Sequence, residues 1–169
     1  ASPHELSEVQ GVGVSLARNL RSQQFRDAAL ILLDDCRRHD IQIVMPDDQQ
    51  FPRLLREIPD PPSLLYVRGG LRPADALSIA IVGTRGATQY GRSQAERFAR
   101  GLARAGLTIV SGLARGIDAA AHVGALEAEG RTIAVQSNGV AEIYPPQHAE
   151  LADRIIHGGA LISEMPPES

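Results

Sequence analysis

From Ser78 onward the chain repeats one rhythm: an apolar run, a glycine-bearing loop, then a helical stretch. IAIVG (79–83) is a continuous apolar run of the kind that lies fully buried in a parallel sheet. A helix is predicted over 89–105, with Ala95, Phe98, Ala99, Leu102 and Ala103 turned inward. LTIVSG (107–112), a helix over 118–129, RTIAV (131–135), a helix over 146–159 and ALISE (160–164) continue the series. Strands alternating with helices at this spacing build βαβ units. Parallel pairing and right-handed crossovers follow, which predicts an α/β fold with a doubly wound, mainly parallel sheet.

The residues before Ser78 are organised differently. Leu6, Val9, Gly11-Val12-Gly13, Ala17 and Leu20 resemble the second half of a helix-hairpin-helix, whose glycines permit positive φ and expose N–H groups to phosphate. The same pattern fits a plain αα-hairpin, and its basic residues are only Arg18 and Arg21. A helix over 24–39 follows, with Phe25, Ala28, Ala29, Leu32, Leu33 and Cys36 on its inner stripe. Short strands are expected at 41–46 and 64–69, with a short helix and a Pro-rich bend between them at 51–62. The predicted division is a helical segment over 1–40 and an α/β domain over 41–169. Because the hairpin starts at half a motif and a doubly wound sheet normally continues past the final PPES, both ends are expected to be incomplete.

Composition removes several classes. A single cysteine, Cys36, leaves no internal disulfide and no Cys-based zinc site, and fits a reducing cytoplasm. No apolar run approaches the roughly 20 residues that cross a bilayer. His4, His148 and His157 have no metal-like spacing with acids, so no metal is expected. The net charge of −3 hides a strong asymmetry. All seventeen basic residues are arginines. Residues 78–115 hold six of them (85, 92, 97, 100, 104 and 115) against Glu96 alone, a local +5. Residues 116–169 hold Arg131 and Arg154 against eight acids, a local −6. Local charge, rather than the total, selects a partner.

Ligands of open parallel sheets bind beyond the carboxyl ends of the strands. Three loops are predicted to meet there: Gly83-Thr84-Arg85-Gly86-Ala87-Thr88, Ser111-Gly112-Leu113-Ala114-Arg115-Gly116 and Gln136-Ser137-Asn138-Gly139. Glycines let an anion approach backbone N–H groups at helix N-termini. Arg85 and Arg115 add forked donors suited to phosphate oxygens. Tyr90 beside the first loop fits either base stacking or packing under that loop. With three Phe, three Tyr and no Trp, a long stacking platform is not expected, so binding should be phosphate-dominated and salt-sensitive.

Other chemistries fit less well. The first loop is G-x-x-G, and no acid ends the second strand to hold ribose hydroxyls, which argues against a nicotinamide or flavin cofactor. Without any lysine a P-loop is excluded, and the G-x-S-x-G elbow is missing around Ser111. Asp118 and His122, four apart on one helix, could suggest acid–base work, but they read better as an N-cap and a packed histidine. No cofactor is expected.

IAIVGTRGATQYG, IVSGLARGIDAAAHVGAL, TIAV…NGV…YPP…L…I and GALISEMPP together resemble the DNA-processing protein A (DprA/Smf) family over residues 41–169. SGLARGIDxxAHxGAL is the most specific stretch, and a small leading helical segment also fits that family. The resemblance implies an extended Rossmann-like fold and a cytoplasmic, non-enzymatic protein. It also implies binding and protection of single-stranded DNA, loading of the recombinase RecA in natural transformation, and a homodimer in the full-length protein. It assigns DNA contact to Arg85 and Arg115, and the expected interface comprises Gly83, Thr84, Arg85, Gly86, Tyr90, Ser111, Gly112, Leu113, Arg115, Gly116, Asn138 and Gly139. The chain departs from the family at QSNG in the third loop and at His148, where an asparagine is usual. The family's FPxRNRxIAGLS segment and winged helix are absent, so part of the DNA pocket and of the dimer surface is expected outside this chain. Two readings compete. One is a Rossmann-like nucleoside-monophosphate phosphoribohydrolase of the LOG type, whose PGGxGTxxE signature is missing. The other is a small-nucleotide sensing module.

Overall fold

The computed structural model describes residues 5, 8, 9 and 12–169, which divide into two compact units, Ala1–Arg38 and His39–Ser169. Leu6 and Gly11 of the expected hairpin, and His4, lie outside the described residues.

In the first unit, helix α1 (Val14–Leu20) is followed by α2 (Gln23–Arg38). Gly13 caps α1 in extended conformation, φ −72°, so it supplies no positive-φ turn. The stripe expected to be buried on α2 is mostly not. Only Cys36 is buried, while Phe25 and Leu33 are exposed. Periodicity shows that a helix has an apolar face but cannot show what covers it.

The second unit is built on one six-stranded sheet. Strands β1 (Ile41–Val44), β2 (Leu65–Gly69), β3 (Ser78–Ala80), β4 (Thr108–Ser111), β5 (Thr132–Val135) and β6 (Ala160–Ser163) lie in the order β1-β2-β6-β5-β4-β3. β3, β4, β5 and β6 pair in parallel, whereas β2 joins β6 antiparallel and β1 joins β2 antiparallel. A short helix, α3 (Arg53–Arg56), links β1 to β2. The crossovers are α4 (Gln89–Arg104), α5 (Ile117–Glu127) and α6 (Ala149–Gly158), the last entered through a 3₁₀ turn at Pro146–His148. The predicted α/β, Rossmann-like architecture is therefore observed.

Alternation along the strands separates two cores. Ile109 faces the helices and packs with Ala99 and Ala103 of α4 and Ala121 and Ala125 of α5. Its neighbours in the other phase, Val110 and Ile133, pack on the opposite face with Val44, Phe51, Leu65, Val67 and Leu71. α4 and α5 approach closely because the seam is made of small side chains. A Cβ on Gly124 would lie 2.2 Å from the Glu96 carbonyl oxygen. Phe98 falls outside the 95/99/103 seam and is exposed, contrary to the inward position expected for it.

The first strand of the repeat also differs from expectation. β3 is three residues long and exposed, and Val82 is 69% exposed. Its apolar run has the character of a central strand, yet among the described residues it pairs only with β4. A central strand takes its burial from neighbours on both sides, and here, among the described residues, one side has none.

A polar tie closes the end of the sheet opposite the glycine-bearing loops. Arg131 pairs with Asp75 and donates to the carbonyls of Gly158 and Gly70, both at 2.6 Å. Burial alone would raise the Asp75 carboxyl. The hydrogen bonds from Arg131 and from the Arg72 N–H outweigh that and hold it below the usual carboxylate range. No helix among the described residues is long and apolar enough to cross a membrane.

Candidate nucleic-acid interface

The three loops do meet beyond the carboxyl ends of β3, β4 and β5. Arg85, Gly112, Ala114, Arg115, Ser137, Asn138, Tyr144 and Pro145 line a cleft of about 50 Å³ there, large enough for a phosphate-sized anion. No carboxylate lines it. Neither Arg85 nor Arg115 pairs with an acid, and no group accepts from the N–H of Arg85, Ala114 or Arg115, among the described residues. Unpaired guanidinium groups beside free N–H donors make a site for an anion rather than for a cation or a neutral sugar.

The second loop lies directly on the first. Gly116 has φ +86°, and a Cβ there would lie 2.3 Å from the Thr84 carbonyl oxygen, so only glycine allows the approach. Asp118 then pins the two loops. Its carboxylate accepts from the Gly83 N–H at 3.3 Å and from the Gly112 N–H at 3.1 Å. Asp118 is thus not the N-cap that its position in the sequence suggests; Gly116 holds the cap position. A buried carboxylate bridging two strand ends is held by tertiary contacts that helix-capping rules do not foresee.

Several residues expected at the interface are built into its scaffold. Ser111 donates its hydroxyl to the Ile81 carbonyl at 2.6 Å. The N–H groups of Gly83 and Gly112 are taken by Asp118, and the Gly86 N–H by the Thr84 hydroxyl at 3.2 Å. The Leu113 side chain is fully buried, and Gly139 is buried with its N–H on the Ser169 carbonyl. These residues shape the loops but do not present side chains to a ligand. Asn138 lines the cleft and donates to the Glu142 carbonyl at 2.7 Å.

The aromatic residue at the cleft is Tyr144, 62% exposed, on a stretch with a cis Tyr144–Pro145 bond. Tyr90 is 74% exposed but does not line the cleft. YPP had been visible only as part of a motif, because its distance in sequence from Arg85 hides its proximity in space. The basic helix face is also weaker than its arginine count. Arg100 is tied to Glu96 and Glu127, while Arg97 and Arg104 have no acidic partner among the described residues.

His122 is fully buried on α5. The Thr132 hydroxyl donates to the Ile109 carbonyl at 2.8 Å, so it accepts from His122 Nδ1–H at 2.7 Å. His122 Nε2 is a buried acceptor without a partner among the described residues. Burial, and secondarily the charge of His148, lower its pKa to about 3. Neither Asp118 nor His122 lines the cleft, so together they form no acid–base pair facing a ligand.

The family model described as DNA recombination-mediator protein A matches residues 42–169. Protein Smf of Synechocystis is 39% identical over 170 residues, covering 98% of this chain and 43% of that protein. DNA processing protein DprA of Bacillus subtilis is 36% identical over 148 residues, covering 87% and 50%. The chain spans about half the length of these relatives or less. The X-ray structure of DprA from Streptococcus pneumoniae superposes with a TM-score of 0.69 at 30% identity, covering 98% of this chain and 62% of that one. DprA from Helicobacter pylori, whose structure is described for its single-stranded DNA binding mode, gives a TM-score of 0.62 at 31% identity, covering 73% and 55%. With its parallel core, its two arginine-bearing loops and this extent of match, the chain belongs to the DNA recombination-mediator protein A family of DNA-processing proteins.

Proposed function

We propose that this chain binds single-stranded DNA in the cleft between its first two glycine-bearing loops. Arg85 and Arg115 hold backbone phosphates there, and Tyr144 stacks against a base. The observation that carries the reading is the pairing of two acid-free arginines with free N–H groups at the ends of adjacent parallel strands. Phosphate contacts give affinity without reading sequence, and aromatic stacking accepts any base, so binding is sequence-tolerant. In the longer proteins of the family this segment would hold and protect incoming cytoplasmic DNA and support loading of RecA during transformation.

The same geometry favours binding over catalysis. Among the described residues no carboxylate and no histidine lines the cleft, so the groups most often used to move protons do not stand beside a bound ligand. Release of free base from a nucleoside monophosphate, abolished by Asp118→Asn, would instead support the phosphoribohydrolase reading.

The test is a fluorescence titration with a short oligothymidine over a series of salt concentrations. Arg85→Ala should weaken binding at least tenfold, since a charged hydrogen bond is worth about 1.5–3 kcal/mol. It should also reduce the slope of log affinity against log salt by about 0.7, one phosphate contact's share. Tyr144→Ala should weaken binding by a similar factor with the salt slope unchanged, and Tyr90→Ala should have little effect. Unchanged affinity in Arg85→Ala, or a flat salt response in the unaltered chain, would refute the proposal.

A further inference from the structure

We infer that His148 is a positioning residue that locks the two walls of the cleft together and so sets the aim of Arg115. The inference rests on the DNA-binding reading above and goes one step beyond it. Arg115 stands on a loop with an unusual backbone. Leu113 adopts φ +60°, a left-handed conformation that a branched, non-glycine residue rarely holds, and Gly116 follows at φ +86°. Such a conformation persists only where its surroundings over-determine it. Two contacts do so. The Leu113 side chain is fully buried, and its carbonyl accepts from His148 Nδ1–H at 2.8 Å, across 35 positions of sequence.

His148 is suited to that task by its place in the chain. It ends the 3₁₀ turn Pro146–His148 and stands at the start of α6, three residues after Pro145. Tyr144 and Pro145 form one wall of the cleft, and Ala114 and Arg115 form another. Among the described residues, the His148–Leu113 bond is the direct side-chain link between those walls. A carbonyl must accept, so Nδ1 carries the proton. One edge of the His148 ring is thereby fixed on the Leu113 carbonyl. Loss of the bond would free the Leu113 carbonyl and let Ala114 and Arg115 relax away from the phosphate position.

The experiment compares His148→Asn, His148→Gln and His148→Leu in the full 169-residue chain. The side-chain nitrogen of asparagine is separated from Cβ by the same two bonds as Nδ1 of histidine. That of glutamine lies one bond further out, and leucine has no donor. Oligothymidine affinity should fall about fivefold in Leu and Gln, as for one neutral hydrogen bond of about 1 kcal/mol. It should stay within twofold of the original in Asn. Backbone amide resonances of Leu113, Ala114 and Arg115, recorded without DNA, should move in Leu and Gln and stay in place in Asn. Affinity and amide positions unchanged in Leu would overturn the inference. So would equal losses in Asn and Leu, which would mean that the ring itself matters. If Leu fails to fold, Asn and Gln decide: rescue by Asn alone supports the lock, and identical behaviour of the two refutes it. If the unaltered chain binds no oligothymidine, the DNA reading fails, while the amide positions still decide the role of His148.

Discussion

Lowering the pH should destabilise this protein through one identifiable side chain, His122. Folded, it takes up a proton only near pH 3, because burial and the neighbouring His148 charge oppose the imidazolium. Unfolded, it titrates near 6.5. Its folded pKa is thus depressed, so the unfolded chain binds more protons between these values. The stability from the neutral His122 is fully present above about pH 6.5 and is lost progressively as pH falls toward 3. One proton over that window corresponds to about 1.4 kcal/mol per pH unit. The loss is about 2 kcal/mol between pH 7 and pH 5 and approaches about 5 kcal/mol at the lower end, the upper limit for a group this deeply buried. Asp75 also loses stability in acid, since its carboxyl is held low, but it does so below about pH 4, outside the upper window. Urea unfolding at pH 7 and pH 5 measures the effect, with His122→Asn as reference. Asparagine keeps a donor toward Thr132 but has no proton to gain. The unaltered protein should lose about 2 kcal/mol more than the variant over this interval. Equal losses in the two would show that His122 is not held neutral by burial and would refute the reasoning.

Other perturbations have equally definite outcomes. Arg131→Ala should cost about 3 kcal/mol, read as a lower urea midpoint, because it leaves Asp75 charged and mostly buried and strips two carbonyls of their donor. Arg131→Lys should recover only part of this, since an ammonium cannot reach Asp75, Gly158 and Gly70 with one planar fork. Gly124→Ala should lower thermal stability by about 2 kcal/mol or more, as the added methyl collides with the Glu96 carbonyl and forces α4 from α5. Gly101→Ala, at an exposed site of α4 with open space around it, should raise stability by about 0.5–1 kcal/mol and serves as the control.

Periodicity and loop chemistry were enough to read the alternation of strand and helix from Ser78, the parallel pairing and the face on which a ligand would sit. Those features are local. An apolar run of four or five residues, a glycine at its end and a helix with alanines at 95, 99 and 103 need no knowledge of distant residues. Arg85 and Arg115 could be placed in one cleft from sequence because parallel topology brings consecutive loops to the same edge. Everything that depended on a particular distant partner was decided only by the tertiary structure. The apolar run at 79–83 gave no sign that it would lie at a sheet edge, because edge position is set by strand order. Asp118 and His122 form no acid–base pair because the fold ties the Asp118 carboxylate to the N–H groups of Gly83 and Gly112 and points His122 Nδ1 at Thr132, with neither residue lining the cleft. Tyr144 reaches the cleft, and His148 the Leu113 carbonyl, through a turn whose path no spacing rule predicts. Composition counted Arg100 as free positive charge, whereas Glu127, 27 positions away, neutralises it. Backbone preference acts over one or two turns of chain. Hydrogen-bond satisfaction and charge pairing act through space, so they are settled only when the fold brings the partners together.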